Sequence, residues 1–263
     1  MTDRVELPLS GASFGADPSF VELLRRQRPE AMPSSPQIGA LEVPQGTTVL
    51  GLRFADGIVM AGDRRATAGY TIADAKMRKV FAADDFSAIA IAGAAGQAVE
   101  TVRLFQLELE HYEKLTGDRL SLEGKANRLA QMIRANFPLA MQGLVVVPLF
   151  GGFDQARNEG RLFYYDATGG RWEEQDYQAT GSGAQPAKNS LKKRWRPDLT
   201  HDEGLRVAVE ALIDAAEDDV ATGGPDLARG IFPVVMTVTS DGATESTDED
   251  VANAVRAVVE TRP

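Results

Sequence analysis

Cysteine is absent from the 263-residue sequence, and histidine occurs only as His111 and His201. The first absence excludes a disulfide framework, a thiolate nucleophile, a zinc–thiolate site and an iron–sulfur cluster. The second excludes a His-rich metal site and leaves a Ser-His-Asp triad only two candidate bases. If the chain is an enzyme, this points to a base other than imidazole. His111 lies in Glu108-Leu-Glu-His-Tyr-Glu113 and reads as part of a solvated helix face. His201 falls in the first turn after a helix cap, and neither histidine is assigned a catalytic role.

Basic charge is also scarce, with 28 Lys and Arg against 38 Asp and Glu and a net charge of −10. Phosphate binding needs clustered cations, so nucleic acid is not an expected partner. The one basic run, Lys188, Lys192, Lys193, Arg194 and Arg196, reads as a solvated helix face. No stretch approaches the ~20 apolar residues of a membrane span, so no membrane partner is expected. The N-terminus lacks a basic region followed by an apolar one, so a secretory signal is not expected and a cytoplasmic location is the default.

Six of the 13 prolines fall in residues 1–46. Proline fixes φ and removes a donor, so this segment reads as an extended leader. One short amphipathic helix is predicted within it, Ser19–Arg26, with Phe20, Leu23 and Leu24 on one side. The texture changes at Thr47. Thr47–Arg53 is a β-rich run, Phe54-Ala-Asp-Gly57 a tight turn, and Ile58–Asp63 a second strand. Further strands are predicted at Lys79–Phe81, Ser87–Ala92, Leu144–Phe150, Arg161–Asp166 and Ile231–Thr239. Several are continuously apolar, as in a sheet covered on both faces.

Two helices are predicted from apolar residues stepping by three and four. One uses Ala98, Val102, Phe105, Leu109 and Tyr112, the other Leu122, Ala126, Leu129, Ile133 and Phe137. Thr200-His-Asp-Glu203 is a capping box that opens a third, and a last helix starts near Thr247 with Val251, Val255 and Val258 inward. Strands in runs separated by helix pairs predict an α+β layered sandwich.

The boundary at residue 46 is chemically suggestive. A cut between Gly46 and Thr47 would leave Thr47 with a hydroxyl and a free α-amine. One residue would then supply nucleophile and base, the amine having an ordinary pKa near ~7.7–8.0. Asp63 lies 16 residues on, where a hairpin returns the chain beside its start, and Lys79 lies 32 residues on. An inward lysine needs a carboxylate partner, and Asp63 supplies one. A nearby Lys⁺ would also lower the pKa of the Thr47 amine. Read singly, Gly46-Thr47-Thr48 is also a plain strand start, and Asp63 and Lys79 are also plain surface charges.

The run Gly46-Thr-Thr-Val-Leu-Gly-Leu-Arg-Phe-Ala-Asp-Gly-Ile-Val-Met-Ala-Gly-Asp-Arg-Arg-Ala-Thr67 resembles the start of a catalytic proteasome β-subunit. Ile89-Ala-Ile-Ala-Gly93, Gly151-Gly-Phe-Asp154, Thr180-Gly-Ser-Gly183 and Asp219-Val-Ala-Thr-Gly-Gly224 follow in the same order. The likeness runs from Thr47 to the C-terminus, 217 residues, and the long leader resembles that of the actinobacterial type.

The resemblance implies a four-layer αββα sandwich of the N-terminal nucleophile hydrolases. Residues 1–46 would be a self-removed propeptide and 47–263 the peptidase domain. Thr47 matches the nucleophile, Asp63 and Lys79 the pair that tunes it, Ser182 a proton-transfer serine and Asp219 a supporting acid. Thr222 stands where many members have Ser, so the hydroxyl is kept. Gly93 matches the glycine whose N–H meets the oxyanion. Gly181-Ser-Gly183 also reads as an ordinary strand–helix turn with Ser182 as N-cap.

The resemblance further implies that Thr67 and Ala95 offer backbone groups to an extended peptide. Ala66, Met77, Phe81, Ile91, Ala95 and Val99 would line an apolar side-chain pocket, although Phe81, Ile91 and Val99 read equally well as core. It implies a homo-heptameric β ring between α rings (α7β7β7α7), an ATPase ring acting through the α ring on tagged or unfolded polypeptides, and no metal or cofactor. Three readings stay open beside it. They are a six-fold Thr peptidase ring, a small-molecule amidohydrolase with the same nucleophile, and a catalytically silent ring subunit.

Overall fold

The computed structural model describes residues 47–262. The predicted leader, its Ser19–Arg26 helix and Gly46 lie outside the described residues.

The chain opens with a hairpin, β1 (Thr48–Phe54) and β2 (Gly57–Gly62). The loop is Ala55-Asp56, because Phe54 already pairs with Gly57. Gly57 is needed for packing, since a Cβ there would lie 2.1 Å from the carbonyl oxygen of Val238. A small two-stranded sheet follows, β3 (Ala66–Ala68) and β4 (Thr71–Asp74). Next come β5 (Val80–Asp84) and β6 (Ser87–Gly93), then helices α1 (Ala95–Thr116), α2 (Leu122–Ala135) and the short α3 (Phe137–Ala140). Four strands, β7 (Val146–Asp154), β8 (Glu159–Tyr165), β9 (Arg171–Glu174) and β10 (Tyr177–Gly181), lead to α4 (Ala184–Arg194) and α5 (His201–Asp218). The chain closes with β11 (Val234–Thr239), β12 (Gly242–Glu245) and α6 (Asp248–Glu260).

Two five-stranded antiparallel sheets result, ordered β10-β1-β2-β11-β12 and β5-β6-β7-β8-β9. The strands sort their side chains by parity, as a period of two requires. In the first sheet Leu50, Leu52, Val59 and Ala61 face α4, α5 and α6. Their neighbours Val49, Ile58 and Met60 face Ala88, Ala90 and Leu149 of the second sheet. On the outer side of that sheet Ile89, Ile91, Phe150 and Phe163 pack under α1 and α2. The layers are therefore αββα, and both faces of each sheet are covered. That is why antiparallel strands carry unbroken apolar runs.

The helix ends obey local rules. Thr200 and Glu203 make both bonds of the capping box, and the Thr247 hydroxyl caps α6. Two positions expected inward, Tyr112 and Phe137, are 40% and 39% exposed. Tyr112 lies in the last turns of α1, and Phe137 lies past the end of α2 as the first residue of α3.

Strands β9, β10 and β12 and the β3–β4 hairpin are absent from the predicted set. Their runs are short and polar, and pairing with a neighbour, rather than an apolar pattern, makes them strands. The basic run lies on α4 except for Arg196, which follows the helix, and Lys192 and Lys193 are exposed. Arg194 turns back to Glu210 at 2.8 Å and Asp214 at 3.2 Å, tying α4 to α5.

Buried charge fastens the second sheet to α2. The Arg161 side chain is 3% exposed and meets Glu173 at 2.6 Å, Glu123 at 2.7 Å and Asp154 at 3.0 Å. Its guanidinium also lies over the Phe163 ring, 4.9 Å from the centroid.

Candidate active site

Register places the site. The two-residue loop puts Gly62 opposite Val49, so Asp63 stands beside Thr48. The Thr48 N–H donates to Asp63 Oδ1 at 2.8 Å, and the Asp63 N–H donates to the Thr48 carbonyl at 3.1 Å. On the other flank of β1, Thr48 pairs with Gly181 of β10. The chain beyond β10 therefore turns past Thr47, and the Ser182 N–H donates to the Thr47 carbonyl at 2.9 Å. Gly181 has φ +104°, and a Cβ there would lie 1.7 Å from the Thr47 carbonyl oxygen. A close backbone approach of that kind admits only glycine.

Lys79 sits one residue before β5, its side chain fully buried. Its Nζ donates to Asp63 Oδ1 at 2.6 Å and to the Arg65 carbonyl at 2.5 Å. Asp63 is itself 0% exposed and also accepts the Arg65 and Gly223 N–H groups at 2.9 Å each. A buried carboxylate with one ammonium and three backbone donors is well satisfied. Burial pushes the Lys79 ammonium below its ordinary pKa, and the charge and hydrogen bond of Asp63 pull it part of the way back.

A second acidic arm reaches Thr47 from the end of α5. Asp219 caps that helix, and its Oδ2 accepts the hydroxyls of Ser182 and Thr222 at 2.6 Å each. Burial raises the Asp219 carboxyl. The hydrogen bonds from Ser182, Thr222 and the Ala221 N–H, with the charge of Lys79, outweigh it, so the group lies below the usual carboxylate range. Ser182 is thus not an N-cap. Helix α4 starts after Gly183 with no side-chain cap. The Ser182 hydroxyl also lies 3.5 Å from the Thr47 carbonyl, but it has one proton, and the shorter bond to Asp219 takes it.

The end of the second sheet closes the site. Gly93, last residue of β6, has φ +124°, and a Cβ there would lie 2.0 Å from the Val145 carbonyl oxygen. A cleft of about 580 Å³ opens between the strand ends of the two sheets. Thr47, Thr180, Gly181 and Ser182 form one wall, and Ala92, Gly93, Val145 and Val147 the other, with Thr67 and Gly69 at the hairpin side. The fold thus brings together Thr47, Asp63, Lys79, Gly93, Ser182, Asp219 and Thr222.

The substrate residues expected from sequence are placed less uniformly. Thr67 lines the cleft. Ala66 and Ile91 are buried, Ile91 within the core under α1 and α2. Phe81 packs against that same core with the Arg78 guanidinium 5.6 Å from its ring centroid. Met77, Ala95 and Val99 are half-buried, Met77 in the loop before β5 and the other two in the first turns of α1. Thr48 and Gly223 also belong to the site and were not singled out from sequence. A threonine at a strand start and a glycine in a loop carry no local signal of their partners.

Residues 43–226 match the family model described as proteasome subunit. The chain is 55% identical over 248 residues to a protein named proteasome subunit beta from Streptomyces griseus, covering 93% of this chain and 88% of that protein. It is also 55% identical over 241 residues to one of the same name from Acidimicrobium ferrooxidans, covering 91% and 88%.

Proposed function

The chain belongs to the proteasome subunit family, and we propose on that premise that its Thr47 site is the working centre of a β-type threonine endopeptidase that activates itself. As a β-subunit it assembles into the proteasome core particle with other subunits and takes part in protein degradation. The observation that carries the mechanistic reading is the meeting of two separately built acidic arms at the start of β1 beside an open cleft, Asp63–Lys79 on the Thr48 N–H and Asp219–Ser182 on the Thr47 carbonyl.

The first step is release of Thr47. Its Oγ attacks the Gly46 carbonyl, the acyl group moves from nitrogen to oxygen, and water hydrolyses the ester. Residues 1–46 leave as a propeptide, and Thr47 gains a free α-amine. In turnover that amine, directly or through a water, takes the Oγ proton, and Oγ attacks the substrate carbonyl. The Gly93 N–H stabilises the oxyanion as a fixed backbone donor. The Thr47 ammonium then gives that proton to the scissile nitrogen, the C–N bond breaks and the amine half of the substrate leaves. The neutral Thr47 amine next activates water to hydrolyse the acyl-enzyme ester. Lys79 keeps positive charge near the amine, which favours its neutral, basic form. The Ser182 hydroxyl donates its hydrogen bond to Asp219, so its lone pairs are available to the ammonium formed at Thr47. The hydroxyl of Thr222 holds the Asp219 carboxylate in that orientation.

Substrate is held as an added strand by backbone groups of Thr67 and Ala95. Ala66, Met77, Phe81, Ile91, Ala95 and Val99 form the apolar pocket that favours cleavage after hydrophobic residues. The β chain forms seven-membered rings between α rings, fed through the α ring by an ATPase ring, in the cytoplasm. Among the described residues no helix is long and apolar enough to cross a membrane.

The test is the mass and N-terminal residue of the assembled protein. Wild type should begin at Thr47, and Thr47→Ala should keep residues 1–46 and lose both peptidase activity and covalent labelling by an epoxyketone. A full-length, fully active wild type would refute self-activation.

A further inference from the structure

We propose that Thr48 is a positioning residue for this site, tying its two acidic arms together and giving the hydroxyl chain that ends on Asp219 a single direction. The inference rests on the reading of Thr47 as nucleophile. It concerns a side chain that never faces the cleft, since Thr48 is 0% exposed.

The backbone of Thr48 serves one arm. Its N–H binds Asp63 Oδ1 at 2.8 Å, the oxygen that also accepts Lys79. Its hydroxyl serves the other. Thr48 Oγ1 accepts the Gly183 N–H at 2.9 Å and lies 2.6 Å from Thr222 Oγ1. Thr222 Oγ1 in turn lies 2.6 Å from Asp219 Oδ2.

Proton counting gives the chain its direction. Each hydroxyl has one proton, and an ionised carboxylate only accepts. Asp219 is held ionised by the donors around it. The Thr222 proton therefore goes to Asp219, and the proton between the two threonines must belong to Thr48. The Gly183 N–H then occupies a Thr48 lone pair. The order runs from Gly183 through Thr48 and Thr222 to Asp219, with Ser182 donating to the same carboxylate oxygen from the other side. Donors polarised in series strengthen one another in a buried site.

Space is as constrained as charge. A Cβ on Gly183 would lie 2.6 Å from both the Thr48 and Thr222 hydroxyl oxygens. Valine has the shape of threonine without the hydroxyl and suits a buried strand. A packing role for Thr48 therefore predicts that Thr48→Val is harmless. The positioning role predicts the opposite.

The experiment compares Thr48→Val, Thr48→Ser, Thr222→Val and the Thr48→Val/Thr222→Val double variant in the assembled core particle, with kcat and KM for a fluorogenic peptide and melting temperature. Losing a buried partner from the chain should lower kcat of Thr48→Val roughly 10- to 100-fold. KM should stay within about twofold, because substrate contacts are intact. Thr48→Ser should recover most of the loss, and the double variant should be no slower than Thr222→Val. Native kcat in Thr48→Val, or losses that multiply in the double variant, would overturn the proposal. Should Thr48→Val fail to assemble, native kcat in Thr222→Val overturns it, and a slowed Thr222→Val with a competent Thr48→Ser supports it. Thr47→Ala is assayed alongside. If it stays active, the nucleophile reading fails, whatever Thr48 does.

Discussion

The buried pair makes a directional prediction. Asp63→Asn should destabilise the protein more than Lys79→Met, although each removes one member of the same ion pair. Both side chains are 0% exposed and 2.6 Å apart. Breaking a buried pair from one side costs about 3–5 kcal/mol. In Lys79→Met the carboxylate keeps three backbone donors, from Thr48, Arg65 and Gly223. The cost should therefore lie near the lower bound, about 3 kcal/mol.

In Asp63→Asn one carboxylate oxygen becomes an NH₂ group. It then confronts either the Thr48 N–H and the Lys79 ammonium, or the Arg65 and Gly223 N–H groups. Two buried donors lose their acceptor at about 1–3 kcal/mol each, in addition to the loss of the ion pair, for a total of roughly 5 kcal/mol. The gap of about 2 kcal/mol corresponds to roughly 4–8 °C in melting temperature for a domain of this size.

The two variants should also differ in pH response. Lys79 has its pKa lowered by burial, and Asp63 opposes that. Removing the carboxylate charge lets it fall further below the unfolded value. The unfolded state then binds more protons between the two values, so Asp63→Asn should gain stability as pH rises through that window. Lys79→Met, lacking the group, should not. Scanning calorimetry of the purified chains at pH 7 and 9 is the assay. Equal melting temperatures, or a Lys79→Met less stable than Asp63→Asn, would refute the donor accounting.

Three further outcomes are expected. Gly181→Ala should lose covalent labelling at Thr47, because φ +104° and a Cβ 1.7 Å from the Thr47 carbonyl oxygen force β1 and β10 apart; left-handed strain alone is about 1–2 kcal/mol, and probe labelling of the purified complex checks it. Asp219→Asn should be less stable than wild type at neutral pH, and the gap should close as pH falls through the lowered Asp219 pKa, because a depressed carboxylate contributes only while ionised; urea unfolding across acidic pH measures it. Arg161→Met should loosen α2 by about 2–3 kcal/mol, a discounted cost because Glu123, Asp154 and Glu173 stay partly solvated, and hydrogen exchange should rise first in Leu122–Ala135.

How much of this was legible beforehand depends on the range of the interaction. Asp63 was legible because a short hairpin turn fixes which residue returns beside the strand start. The layered α+β class, the capped start of α5 and the start of α6 near Thr247 were legible because apolar periodicity and capping are local. Strand β10 was not, and it carries Ser182 to Thr47. Its residues, Tyr177-Gln-Ala-Thr-Gly181, have no clear alternation, and they become a strand by pairing with β1.

Amino-acid order alone thus determined the absence of thiol chemistry, the Asp63 hairpin and the continuously apolar strands. Tertiary structure decided what the hydroxyls do. Ser182 turns from a helix cap to Asp219, and Thr48 turns from strand filler to the link between both acidic arms, across 135 residues to Gly183 and 174 to Thr222. A hydroxyl has one proton and no shape of its own. Its partner is chosen by whichever acceptor the fold buries within reach, and no local pattern in the chain records that choice.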